Sequence, residues 1–309
     1  MKLDFSLSWL NKLFKKFLKR TLLEKILIIM IIIVPFIIFN SKKEGFKQKE
    51  KFLLKEDGNI YDKFYSSIYD SLAFDESRYD FECQKLKKII QNKNSKVLDI
   101  GCGTGNHIDF FNKNGIKSVG LDKSSSMIAE AKSKFPKGNF KVGNCLKGLT
   151  FNSNSFSHIT ALYFTIYEIK NKSLFFKNCY SWLKPGGVLM VHLVDRDKFD
   201  PILNTADPLT LTSPQKHAEK RITNSVIKFK EFLYKADFKY NDTDISHFIE
   251  KFKDDATGHV RKHDRTIYME KRNQIIKIAK NVGFISHTSI HMVPCQYENQ
   301  YLHVFYKPN

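Results

Sequence analysis

The sequence predicts an α/β fold, a mostly parallel sheet with helices on both of its faces. Three observations predict it. Short, nearly unbroken apolar runs alternate with segments of helical periodicity, the rhythm of buried strands joined by crossover helices. The first run, Val97-Leu98-Asp99-Ile100, passes straight into a glycine loop, Gly101-Cys102-Gly103-Thr104-Gly105. A second run, Ser118-Val119-Gly120-Leu121-Asp122, ends on an acid. A backbone that must turn sharply and touch a ligand cannot carry Cβ atoms at the contact points, so the glycines mark a binding loop.

The elements follow in order. Residues 80–93 carry an amphipathic helical pattern, and 96–100 form the first strand. Residues 107–113 are a helix stopped near Gly115, and 117–122 are the second strand. Ser124 caps a helix running to Lys134. Residues 140–142 make a third strand ending in Gly143-Asn144-Cys145, and 156–163 a fourth. A helix over 171–183 ends in Leu183-Lys184-Pro185-Gly186-Gly187, before an apolar fifth strand over 188–194. Residues 198–270 break the rhythm. Strand-like alternation over 226–236, 244–252 and 259–268, with a turn at 254–258, predicts an antiparallel insertion that caps the site. A helix over 271–282, a strand entered through Gly283-Phe284 and a last strand over 300–307 complete seven strands in the main sheet.

The start of the chain has another character. The formal charge is +19, and residues 1–55 hold 13 Lys/Arg against 4 Asp/Glu. Nearly half the excess thus flanks an apolar run, so a membrane surface accounts for it as well as nucleic acid does. Residues 1–21 hold a basic amphipathic helix: Leu10, Leu13, Phe14, Phe17 and Leu18 on one face, Lys12, Lys15, Lys16 and Lys19 on the other. Residues 22–39 are a transmembrane helix of minimal length, with Lys25 at its edge and Pro35 within it. No small-residue cleavage site follows, which argues against a secretory signal. Residues 40–58 are polar and read as a tether to a domain over 59–309. The expected partner of residues 5–39 is a single membrane, crossed once. Five scattered cysteines show no ligand spacing, so neither a metal site nor a disulfide framework is expected, and a reducing compartment is.

From about residue 59 onward the chain resembles the class I S-adenosylmethionine (SAM)-dependent methyltransferases of the small-molecule type. The glycines follow G-x-G-x-G rather than the G-x-G-x-x-G of dinucleotide folds. The resemblance implies a Rossmann-like fold and SAM as cofactor. It places Asp99, Gly101, Cys102, Gly103 and Gly105 around the methionine part, and Asp122 with Lys123 at the ribose. Met127 is placed against the adenine, with Asn144 and Cys145 beside it. Asn144 stands where the family usually has Asp, so this contact lacks a charge. Tyr61, Tyr65 and Tyr69 lie on one helical face. They are either a core stripe or, as in many relatives, a cover over SAM, with Tyr61 and Tyr69 in contact with it.

Ligands of open α/β sheets sit at the carboxyl ends of the strands. Tyr163, Tyr167 and Glu168, after the fourth strand, therefore face the methyl acceptor, with Tyr163 also near SAM. His263, in the insertion, is the fourth catalytic candidate. His192, inside the fifth strand, reads as a core residue, and Asp195 lies near that strand's end. No Asn/Asp-Pro-Pro-aromatic motif follows the fourth strand, so a nucleic-acid acceptor is not expected. Aromatic enrichment and the membrane segment favour a small or lipid-like acceptor. A protein or RNA acceptor, and a non-catalytic membrane scaffold on the same fold, are the alternatives. SAM is cytosolic, which places the catalytic domain in the cytoplasm.

Overall fold

The computed structural model describes residues 15, 17–18, 20–40, 48–90, 94–202, 215, 218–240 and 243–309. The basic amphipathic helix expected over 1–21 and the tether residues 41–47 fall almost wholly outside them. The chain divides into two compact units, Met1–Lys47 and Gln48–Asn309.

In the first unit, helix α1 (Leu22–Asn40) coincides with the apolar run. Its first turn is charged, with Glu24 accepting from the Thr21 N–H at 3.0 Å and Lys25 beside it. Among the described residues no helix is long and apolar enough to cross a membrane.

The second unit begins with β1 (Phe52–Glu56), α2 (Lys63–Ala73) and α3 (Glu76–Ile89). Then come β2 (Lys96–Ile100), α4 (Asn106–Lys113), β3 (Lys117–Asp122), α5 (Ser125–Lys134), β4 (Phe140–Val142) and β5 (Phe156–Ala161). Helix α6 (Lys172–Trp182) leads to β6 (Leu183–Val194). The insertion contributes β7 (Asn224–Lys228), β8 (Phe232–Lys239), β9 (Ile245–Asp254) and β10 (Val260–Tyr268). Helix α7 (Arg272–Val282), β11 (Ile285–His291) and β12 (Gln300–Tyr306) end the chain.

The main sheet has seven strands in the order β11-β12-β6-β5-β2-β3-β4. Strands β2 to β6 pair in parallel, whereas β12 runs antiparallel between β6 and β11. One core lies where α6 and α7 cover the sheet, around Phe175, Phe176, Trp182 and Ile275. The other lies under α3, α4 and α5, around Leu86, Phe111 and Ile128. The central strands are covered on both faces, which is why they read as continuous apolar runs.

Three boundaries differ from the sequence reading. Residues 52–58 are not tether: β1 pairs in parallel with β10 and forms the edge of a second, five-stranded sheet, β1-β10-β9-β8-β7. Its short alternating pattern, half exposed on an edge, gives little signal in sequence. The expected strand over 226–236 is a hairpin, because the chain reverses at Phe229, whose N–H donates to the Phe232 carbonyl at 3.0 Å. The fifth main strand starts at Leu183, not 188. Gly186 and Gly187 continue the ladder by exchanging hydrogen bonds with Lys307 at 3.0 and 2.9 Å.

Candidate active site

The site is built at the carboxyl ends of β2, β3 and β5. Where β2 meets α4, Gly101, Gly103 and Gly105 have φ of +69°, +52° and +89°. The N–H groups of Gly101 and Cys102 both donate to the Leu121 carbonyl, at 2.8 and 3.1 Å, and fasten the loop to the end of β3. A Cβ at Gly101 would lie 2.5 Å from Thr165 Oγ1, so that approach admits only glycine. The Asp122 carboxylate accepts from Gly103 N–H (3.0 Å) and Ser124 N–H (2.8 Å). Burial pushes its carboxyl up to about 6, against the pull of those two donors.

A cavity of about 380 Å³ opens over this loop. Of the expected cofactor residues, Gly101, Gly103, Asp122, Lys123, Met127, Asn144, Cys145, Tyr163, Tyr61 and Tyr69 line it, as does Glu168. Met127 is buried in the wall, and its backbone N–H is held by the capping Ser124 hydroxyl at 3.0 Å. Asn144 Oδ1 already accepts from the Leu146 N–H at 2.9 Å, which fixes the amide.

Five expected site residues do not line the cavity. Asp99 is buried within β2, where Thr160 Oγ1 donates to it at 2.6 Å and burial raises its carboxyl. Cys102 turns into the second core, beside Gly120. Gly105 is required by packing, because a Cβ there would strike the Phe140 ring. Tyr167 is fully buried and its hydroxyl accepts from the Val194 N–H at 2.7 Å, which ties the turn Thr165–Glu168 to the end of β6 and turns the phenol away from the cavity. His263, fully buried inside the cap, accepts from Arg261 Nε at 2.7 Å, and burial lowers its affinity for a proton. His192 is a core residue, as expected. Its Nδ1 lies 2.7 Å from the Tyr163 carbonyl, and burial lowers the imidazole to about 4. The neutral ring thus donates to that carbonyl and steadies Tyr163, whose φ is +51°.

The tyrosine stripe divides between its two readings, with Tyr61 just ahead of α2 and Tyr65 and Tyr69 on it. Tyr61 and Tyr69 face the cavity, whereas Tyr65 points into the cap and donates to Glu250 at 3.0 Å. Helix α2 is pinned to the glycine loop through Asp70, which accepts from Thr104 Oγ1 at 2.6 Å and pairs with Lys134. A second cavity, about 50 Å³, lies between α2 and the inner face of the cap sheet. Its walls include Leu72, Phe199, Phe238, Phe248 and Ile267, and it shares Tyr69, Tyr163, Phe164 and Arg265 with the first. Arg265 donates to Tyr65 (2.8 Å), Glu250 (3.0 Å) and Glu168 (3.4 Å) through its two terminal nitrogens, while its buried Nε has no hydrogen-bond partner among the described residues.

Sequence reasoning missed Arg265, Thr165, Phe164 and the Asp57-Gly58 turn, all on the cavity wall. Arg261, His263 and Arg265 alternate along β10 and so share a face. That alternation was a readable signal for a polar face turned to the site. Asp57, placed with the tether, left no such signal.

Residues 97–187 match the family model described as a methyltransferase domain. Residues 97–187 are thus a methyltransferase domain. The chain is 31% identical over 134 residues to phosphoethanolamine N-methyltransferase of Plasmodium falciparum, covering 42% of this chain and 50% of that protein. It is 28% identical over 123 residues to ubiquinone biosynthesis O-methyltransferase of Bradyrhizobium sp., covering 38% of this chain and 49% of that one. The chain therefore spans about half the length of the curated relatives it matches. SAM-bound CalS10, an amino pentose methyltransferase from Micromonospora echinaspora, superposes with a TM-score of 0.55 over 81% of this chain and 98% of its own. At 18% identity that likeness is one of fold. The methyltransferase domain's cofactor is SAM, and the residues present fit it. Gly101 and Gly103, both left-handed, line the cavity beside Tyr69, and Asp122 offers a carboxylate to paired hydroxyls.

Proposed function

We propose that this protein transfers a methyl group from SAM to a small, largely apolar acceptor held beneath the cap. We further propose that residues 5–39 attach it to a membrane, with the catalytic unit in the cytoplasm. One observation carries the enzymatic reading. The cavity over the glycine loop and the aromatic cavity under the cap meet at Tyr69, Tyr163, Phe164 and Arg265. When bound, SAM supplies an electrophilic methyl group whose thioether leaves without acid assistance.

The chain's own groups have separable tasks. Asp122 holds hydroxyls of the donor, and Met127 packs beneath it. Tyr69 and Tyr163 stand between donor and acceptor, where alignment of the reacting atoms contributes most to the rate. Helix α2 and the cap sheet exclude water. Burial pushes the phenols of Tyr61 and Tyr69 well above their usual range, so both stay protonated and neither is a base. Glu168, which accepts the Tyr61 hydroxyl and faces the first cavity, is the carboxylate available to an acceptor that must lose a proton. The apolar walls of the second cavity favour an acceptor with a hydrocarbon or aromatic body over a polymer. The membrane reading is supported by the basic, apolar start of the sequence.

Titration calorimetry of the full chain with SAM and S-adenosylhomocysteine tests the first reading, followed by product formation across phenolic, quinol and amine amphiphiles. Micromolar binding and turnover of at least one acceptor are expected, and absence of donor binding overturns the assignment. For the membrane, the full chain is expected to stay with membranes in high salt and a chain beginning at residue 48 to leave them. Retention of the shorter chain in high salt would end the claim for residues 5–39.

A further inference from the structure

The outer face of the cap sheet carries a pattern that the active site does not use. Residues directly paired across strands share a face, and alternate residues face opposite ways. Arg261, His263 and Arg265 of β10 face inward, so Lys262 faces out. In register across the sheet, Leu54, Lys262, Lys251, Lys235 and Val226 form one row. The adjacent row is Phe52, Val260, Lys253, Leu233 and Lys228. Two rows thus interleave lysines with apolar side chains, and Phe52, Leu54 and Val226 are 57%, 44% and 61% exposed.

Three lysines opposite one another on neighbouring strands repel, which destabilises the free sheet. Lys262 reaches Asp264 at 3.5 Å and Lys228 pairs with Asp255. Lys235, Lys251 and Lys253 have no carboxylate partner among the described residues. The next row, with Glu56, Asp264 and Asp237, is acidic and bounds the patch on one side.

We propose that this face docks on the surface of an anionic phospholipid bilayer. Ammonium groups meet lipid phosphates, and the exposed aliphatic chains between them enter the headgroup region. The composition favours lipid over nucleic acid: the patch has no arginine for bidentate phosphate contacts, and Phe52 is its single ring for base stacking. Docking here would hold the enzyme against the phase in which an apolar acceptor resides. The proposal deepens the membrane reading above, yet it uses a different part of the chain, so either can fail alone.

The test is lysine acetylation of the full chain, read residue by residue by mass spectrometry. It compares vesicles of phosphatidylcholine alone, vesicles containing phosphatidylserine, and single-stranded RNA. The expected result is a severalfold loss of reactivity at Lys235, Lys251 and Lys253 with phosphatidylserine only, reversed by salt, while the exposed Lys113 on α4 stays reactive. In a K235E/K251E/K253E variant the protection of Lys228 and Lys262 should vanish with SAM binding unchanged. Protection confined to lysines of residues 2–25 would overturn the docking face and leave the N-terminal attachment standing. Protection of neither region would overturn both. Equal protection by RNA would overturn the lipid assignment.

Discussion

On the proposed reading, Asp122 concentrates the chemistry of the donor site in one carboxylate. It takes two backbone N–H groups and still faces the cavity. Asp122→Ala is expected to weaken SAM binding at least tenfold, about 1.4 kcal/mol, and near-equal affinity by calorimetry would remove it from the ribose. Its carboxyl titrates near 6, so the hydroxyl-accepting form is lost as pH falls through that value. SAM affinity should therefore drop below about pH 6 in the native chain, by up to tenfold per unit, and stay flat in the Asp122→Ala variant. For folding the sign is the opposite. A raised acid contributes most below its unfolded value of 3.8 and loses that contribution as pH rises through about 6. Gly101 makes a different kind of demand. Gly101→Ala meets both a left-handed φ and Thr165, and is expected to cost roughly 1–3 kcal/mol and to abolish SAM binding. Partial recovery in Gly101→Ala/Thr165→Ala would identify the contact; unchanged thermal stability of the single variant would contradict it.

At the scale of elements, the cleft depends on segments far apart in sequence. Helix α2 is capped by Asp62, tied to the glycine loop through Asp70 and to the cap through Tyr65. Helix α3 sends Arg78 beneath Tyr163, 4.0 Å from its ring, while donating to the Ala73 carbonyl at 2.8 Å. Strand β1 closes the cap sheet, and the adjoining Asp57 accepts from the Thr266 N–H at 2.9 Å and lines the cavity. A chain beginning at residue 59 is expected to melt roughly 5–10 °C below one beginning at residue 48, the effect of losing about 2–3 kcal/mol in a domain of this size. It should also bind SAM more weakly. Coincident melting curves would mean that β1 contributes nothing. The crossover elements were legible because strands buried on both faces and capped helices leave strong local patterns. The β7–β8 reversal and β1 were not, because a short half-exposed edge strand differs little from a polar linker.

For the whole molecule, Gln48–Asn309 contains both sheets and both cores. A chain of residues 48–309 should bind SAM within about twofold of the full chain, a difference under ~0.5 kcal/mol. A loss of tenfold or more would show that residues 1–47 help to order the site. The net charge of +19 is also placed with purpose on this view. Part lies in the first unit and part in the register of the cap sheet, and only the second share is visible as a patch once strands are paired.

The amino-acid sequence by itself determined the sheet, the glycine loop, the acid after the next strand and the order of the motifs. Each is a local property: a period, a turn residue, a spacing along one strand. Tertiary structure alone decided which candidates meet. Asp99, Cys102, Gly105, Tyr167 and His263 carry suitable chemistry but turn into cores and ladders, while Arg265 and Asp57 arrive at the cavity from distant segments. Direction and burial depend on neighbours tens to hundreds of residues away, so no local pattern encodes them.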